Sequence, residues 1–307
     1  MIDSRPLISP TADTFIHYLF ASPGNEHILL SFVNAVRDSV RLPPVKVVQV
    51  LSPFNPQTFA MEKLSIIDIK AVVDNHHLVV IEFQMAKQSA FARRALYYWA
   101  KTFSTQLSYG ENYKKLSPVT MIILTRFLLF GELDNLHNLF WITAQDNPEI
   151  LFTDCLQIHT LELEDTKLGQ LPAIKKPLRG WLEFFYYADK KSEEEMKGLL
   201  ETSGAPALGE AYDIYIRFNQ NPELRHLNDM REMYLHDITT ETDFAREEGE
   251  IKGKVDSIFA ILEAHFGEVP QAICHAVAQI GDLDVLDQLT VLAVKCESLD
   301  EFLSAMK

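Results

Sequence analysis

Cysteine, long apolar runs and positive charge are all scarce in this sequence. The three cysteines, Cys155, Cys274 and Cys296, stand far apart with no CxxC spacing. That excludes a disulfide scaffold and a thiolate metal knuckle, and inert thiols of a cytoplasmic protein are expected. The apolar stretches 121–124 and 127–130 are split by Arg126, so neither is long enough to span a bilayer. Residues 1–10 include Asp3 and Arg5 and lack an apolar core, which is not the pattern of a signal peptide. The absence of a Gly-rich phosphate loop or Walker motif counts against a phosphohydrolase of small nucleotides. With 28 Lys and Arg against 43 Asp and Glu, the net charge is −15, unlike a protein that coats nucleic acid non-specifically.

What is present is ordinary globular material. Hydrophobic residues make up 47% and charged residues 23% of 307 positions, enough for one large domain with an appendage, or for two. The charge is uneven. Residues 241–307 hold 14 acidic and 5 basic side chains, whereas 84–126 hold seven basic residues and one acid, Glu111. That basic stretch fits either a solvated helix face or a phosphate-binding surface.

The chain opens with two helices. The first is capped by Thr11 or Asp13 and carries Phe15, Ile16, Leu19 and Phe20 on its apolar face; Asn25 caps the second. Residues 45–51 read as a strand, followed by a polar loop with Pro53, Pro56 and Gln57. Residues 66–73 and 77–84 form a hairpin turning at Asp74-Asn75-His76. With the turn centred near Asn75, Asp68 lies roughly opposite Glu82–Phe83, so both carboxylates can fall on one face, among β-branched and aromatic neighbours where an unpaired charge is costly. A helix from Arg93 to about Leu107 follows, then a central strand over 118–130, weaker strands at 139–142 and 156–163, and helices over 181–188, 193–201, 208–218 and 225–236. Residues 239–254 are a charged, glycine-interrupted connector, and the last fifty residues give short amphipathic helices. The expected division is 1–240, a charged helical connector at 241–255, and a small acidic helical domain at 256–307.

Two carboxylates on adjacent strands beside a basic, aromatic helix suit phosphodiester hydrolysis. Paired acids hold hard divalent cations through oxygen. Arg93, Arg94, Lys101 and Lys87 are candidate phosphate contacts, and Tyr98 is a candidate for base stacking, although Tyr98 and Trp99 fit core packing as well. Spacing alone equally accommodates a plainer use of the acids, solvated at strand ends or paired with Lys70 or Lys87.

Asp68, then Glu82-Phe83-Gln84, then Arg94-Ala95-Leu96-Tyr97-Tyr98-Trp99 and Tyr113-Lys114-Lys115-Leu116-Ser117-Pro118 come in a specific order. With the opening Asp13-Thr14-Phe15-Ile16-His17-Tyr18-Leu19-Phe20 they resemble the PD-(D/E)XK nuclease family of Rpn recombination-promoting nucleases, the YhgA-like transposases. The resemblance covers about residues 9–255, including the connector, which resembles the family's tail helix. It implies an α/β fold, a restriction-endonuclease-like core with a mixed central sheet flanked by helices, here followed by a small C-terminal all-α domain. It also implies DNA as substrate and Mg²⁺, or Mn²⁺, as cofactor. Carried over, Asp68 and Glu82 are metal-binding acids, Phe83 lends a backbone carbonyl, Gln84 occupies the place of the superfamily lysine, and Asp13 is a further ligand. One departure is Ile16-His17, where the family commonly has Phe-Lys. The acidic C-terminal region implies helix–helix assembly rather than phosphate binding, with the connector pairing in a homodimer. The alternative from another class is a catalytically inactive nuclease fold that binds DNA or a protein partner.

Overall fold

The computed structural model describes residues 6–52, 54, 68–74 and 76–306. Ile66, Ile67, the loop residues Pro53, Pro56 and Gln57, and Asn75 of the expected turn lie outside the described residues. The chain forms two compact units, Met1–Arg231 and Glu232–Lys307.

The first unit is built on a mixed six-stranded sheet. Its strands are β1 (Val48–Val50), β2 (Ile69–Val73), β3 (His77–Gln84), β4 (Val119–Thr125), β8 (Leu156–Glu162) and β5 (His137–Phe140), in that spatial order. β1, β2 and β3 pair antiparallel, β3, β4 and β8 parallel, and β5 closes the edge antiparallel. α3 (Phe91–Ser104) makes the crossover from β3 to β4 that a parallel pair requires. All seven residues of β4 are buried, as a strand covered on both faces must be.

Alternation divides β3 between two cores. Val79 and Ile81 face α1 (Asp13–Ala21), α2 (Glu26–Ser39), α4 (Lys176–Tyr187), α5 (Glu193–Glu201) and α6 (Ala207–Gln220), a layer rich in aromatics such as Phe15, Phe32, Trp181 and Phe185. Leu78 and Val80 face the other way, onto Phe91, Ala95 and Trp99 of α3. Trp99 donates from Nε1 to the Val119 carbonyl at 2.8 Å and stacks on Phe103, so it is a core residue. α4 lies so close to the turn at Ser203 that Gly180 is required: a Cβ there would sit 2.8 Å from Leu208 Cδ1 and closer still to Ser203 Cβ. Gly180→Ala is expected to cost about 1–3 kcal/mol through overpacking, read as a lower urea midpoint.

Several elements differ from the sequence reading. The N-cap of α1 is Ala12, not Thr11 or Asp13, which frees the Asp13 carboxylate for other partners. Asn25 is the N-cap residue of α2 as expected, but its side chain makes no capping bond; its Nδ2 donates instead to the Leu19 carbonyl at 2.9 Å and closes the end of α1. The strand expected over 118–130 ends at Thr125, whose Oγ1 donates to the Phe127 carbonyl while Arg126 Nη2 reaches the Phe185 carbonyl. A hairpin of β6 (Thr143–Ala144) and β7 (Asn147–Leu151) was not expected, because β7 is exposed throughout and contains Pro148.

The connector lies within one long helix. α7 (Pro222–Phe266) is continuous over 45 residues, with Gly249 and Gly253 inside it. Each glycine costs about 1 kcal/mol relative to alanine, and the surrounding Glu, Ala, Arg and Lys residues carry the helix through. The division between the units falls at 231/232 inside α7, where the sequence reading cut near 240. Gly267, at φ +78°, ends the helix in the left-handed conformation that glycine adopts freely. In the second unit, α8 (Gln271–Ala278), α9 (Leu283–Lys295) and α10 (Leu299–Ala305) share a core with Ile258 and Leu262 that includes Ile273, Leu286 and Phe302. Among the described residues no helix is long and apolar enough to cross a membrane.

Candidate active site

The β2–β3 ladder ends at Ile69 opposite Ile81, and Asp68, the residue before β2, lies close enough to Glu82 for the two charges to interact. By alternation along β3, Glu82 and Gln84 lie on the α3 side of the sheet, with Leu78 and Val80. Asp68 Oδ2 accepts the Phe83 backbone N–H at 2.6 Å. Glu82 is buried, and among the described residues its Oε2 has no hydrogen-bond partner. A second buried acid on this face, Glu162, follows in register through Gln84 and Thr125. Lys167 neutralises it, with Nζ 3.1 Å from Glu162 Oε2. Among the described residues Asp68 and Glu82 have no such lysine: Lys70 is partly buried and Lys87 is exposed, and neither makes an ion pair with them.

α1 brings two more groups to this place. Its apolar residues pack into the core, and Asp13 and His17, one turn apart, lie together on another side. His17 Nε2 is 3.3 Å from Asp13 Oδ1, and Arg231 Nε of α7 donates to Asp13 Oδ2 at 2.8 Å. One ligating atom each from Asp13, His17 and Asp68 lie within 4.8 Å of one another.

The protonation of the acids follows from these surroundings. Burial above all, then the charges of Glu82 and Asp13, holds the Asp68 carboxyl well above its usual range, against the opposing pull of His17 and the Phe83 N–H. Glu82 is pushed up to about 7 by burial; Arg94 and the Asp68 backbone restrain it, and Asp13 adds to the rise. For Asp13 burial also pushes upward, but His17 and Arg231 outweigh it and the net shift is downward. An anionic Asp13 beside two acids that resist ionisation is a site short of positive charge.

Gln84 lies two residues beyond Glu82 on the same face, and both ends of its amide are engaged. Oε1 accepts from Arg94 Nη2 at 2.7 Å and Nε2 donates to the Ala86 carbonyl at 2.8 Å. Arg94 also donates to Gln88 Oε1, and its guanidinium lies over the Phe91 ring at 5.0 Å. Gln84 thus tethers a cation whose field acts on Glu82. Arg93 and Lys101 are exposed on α3 with Tyr97 between them, and Lys87 is exposed in the preceding loop; Tyr98 is half-buried and in edge contact with Tyr97. His76 and His77 diverge: one meets the Asp74 carbonyl, the other Thr120 Oγ1.

Sequence reasoning missed His17 and Arg231 as members of the site. The i, i+4 spacing of Asp13 and His17 was an available signal; Arg231, 218 residues from Asp13, left none. No curated protein and no solved structure matches the chain. A family model described as "PD-(D/E)XK nuclease family transposase" matches residues 10–245, most of the chain, and the mixed sheet flanked by helices is the restriction-endonuclease-like fold expected of it. The protein belongs to the PD-(D/E)XK nuclease family of transposases.

Proposed function

We propose that the protein is a metal-dependent DNA endonuclease that hydrolyses phosphodiester bonds, acting in recombination, in the turnover of mobile elements or against foreign DNA. The observation that carries this reading is the proximity of two acids, Asp68 and Glu82, with Glu82 Oε2 buried and unpartnered among the described residues. Such an oxygen is costly to bury unless something else binds it, and a divalent cation fits the carboxylate donors. Asp68 and Glu82 would hold the cation, with the Phe83 carbonyl and Asp13 as further donors. When bound, Mg²⁺ or Mn²⁺ supplies Lewis-acid polarisation of the phosphodiester and a nucleophilic water at neutral pH.

The chain's own residues divide the remaining work. Arg94, held by Gln84, places a fixed positive charge beside Glu82 and answers the missing superfamily lysine. A guanidinium does not release its proton at neutral pH, so its part is to stabilise anionic oxygens and not to act as a base. Arg93 and Lys101 grip flanking phosphates, and Tyr97 and Tyr98 offer ring faces to bases. Arg93→Ala and Lys101→Ala are each expected to weaken DNA binding. Each should also reduce the salt slope by about 0.9 for every phosphate no longer neutralised, measured by fluorescence anisotropy across salt concentrations.

The test is supercoiled and linear DNA incubated with the full chain in Mg²⁺, Mn²⁺ or EDTA. Cutting that requires the metal supports the reading. DNA bound but uncut in every metal identifies the inactive, DNA-binding alternative, which the glutamine at the lysine position favours. The connector at 241–255 is proposed as a homodimer contact; sedimentation as a monomer at micromolar concentration overturns that.

A further inference from the structure

We propose that His17 is a metal ligand of this site and turns its preference from Mg²⁺ towards first-row transition cations such as Mn²⁺. The inference rests on the reading of Asp68 and Glu82 as a cation site and adds the nitrogen donor that sets its selectivity.

The argument begins with α1. Asp13 and His17 are spaced to share a helix face, and that face meets Asp68, bringing two carboxylates and one imidazole together. Arg231 holds Asp13 by Oδ2, which leaves Oδ1 on the His17 side at 3.3 Å. The salt bridge therefore orients one carboxylate oxygen towards the imidazole and the other away. Independently, Glu82 Oε2 is buried without a hydrogen-bond partner among the described residues, and its carboxylate feels the charge of Asp13. Three donors then come from two places, α1 and the residue before β2, with Glu82 of β3 close enough for its charge to act on Asp68.

The chemistry of the set is mixed. Mg²⁺ favours oxygen in strict octahedral geometry and gives up its waters reluctantly. Imidazole binds first-row transition ions, with affinity rising along the series from Mn²⁺. A lysine at this place would have supplied charge but no ligand, so a histidine changes which cation is held and not only how tightly.

The test uses the full chain and the cations alone, without DNA. Mn²⁺ and Mg²⁺ affinities are measured by calorimetry for wild type, His17→Ala, His17→Asn and Asp68→Asn, and ¹⁴N coupling to bound Mn²⁺ is read by pulsed electron paramagnetic resonance. Wild type is expected to show imidazole ¹⁴N coupling that both His17 variants lose, with the Mn²⁺ over Mg²⁺ preference falling at least ~10-fold, the low end of what losing one metal-supporting group costs. Because His17→Asn keeps a polar side chain, it remains informative if His17→Ala fails to fold, and the wild-type coupling needs no variant. If Mn²⁺ binds and Asp68→Asn abolishes that binding, yet wild type shows no ¹⁴N coupling and the preference is unchanged, His17 is not a ligand while the endonuclease reading stands. If neither cation binds wild type, the cation site itself is refuted and the inference with it.

Discussion

Asp68→Asn is expected to abolish metal-dependent DNA cleavage and, in EDTA, to raise the melting temperature of the first unit. The two effects have one cause. Asp68 sits against Glu82 and Asp13, and burial with like charges raises the free energy of its ionised form. Asparagine removes the charge and keeps an oxygen for the Phe83 N–H, a bond that Asp68→Ala would leave unmet. Loss of a cation ligand removes several kcal/mol of transition-state stabilisation, which is ~10³-fold or more in rate. Saturating Mn²⁺ should reverse the order of stability, because wild type alone binds it tightly; a ligand at 100 times its Kd adds about 2.7 kcal/mol. Plasmid cleavage and thermal melts with and without Mn²⁺ check both halves. A variant less stable than wild type in EDTA would make Asp68 a structural residue, and retained cleavage would place the chemistry elsewhere.

The parts of this site that were legible in the sequence are those fixed by local periodicity. The period of two in 69–73 and 77–84 was enough to pair the two strands as a hairpin, and the uninterrupted apolar run of β4 announced a strand covered on both sides. The three terminal helices could be read for the same reason, since each carries its own apolar stripe. What stayed hidden depends on contacts between distant segments. Arg94 reads from the sequence as a phosphate contact; only the tertiary arrangement shows that Gln84 holds it beside Glu82. Nothing near Arg231 distinguishes it from the other charges of α7 until α1 lies against it. The exposed hairpin β6–β7 gave no alternation because neither of its faces packs fully, and α7 reads as interrupted when glycine penalties are weighed without its strong helix formers. His17 lay between these cases: the spacing to Asp13 was visible, the proximity to Asp68 was not.

The double variant Asp68→Asn, Glu82→Gln is expected to be more stable than wild type at pH 7.5 in EDTA, and to lose that advantage by about pH 4.5. Two buried populations titrate in opposite senses here. Glu82 is raised from 4.5 to about 7, so the native state keeps a proton that the unfolded chain has released. Its contribution is complete below pH 4.5 and is lost as pH rises through 7, about 3 kcal/mol in all. The core histidines do the reverse. Burial pushes His137 from 6.5 down to about 4, and His77 likewise, with Arg37 and His76 adding to the shift in His77. His159, fully buried with Nδ1 3.0 Å from His137 Nε2, is pushed down further by burial, His137 and Arg37. These rings are neutral in the native state, so their contribution is complete above pH 6.5 and is lost as pH falls towards 4, about 3 kcal/mol for His137 alone. In wild type the acids oppose the histidines across nearly the same window and offset part of their loss, so stability falls less steeply on mild acidification. Without the acids only the histidine loss remains, and the stability of the variant falls steeply. Urea denaturation at four pH values between 4.5 and 7.5, followed by tryptophan fluorescence, measures this directly, since Trp99, Trp141 and Trp181 all lie in the first unit. Parallel curves for variant and wild type would mean that both acids titrate in their ordinary range, and the electrostatic basis for a cation site at Asp68 and Glu82 would be gone.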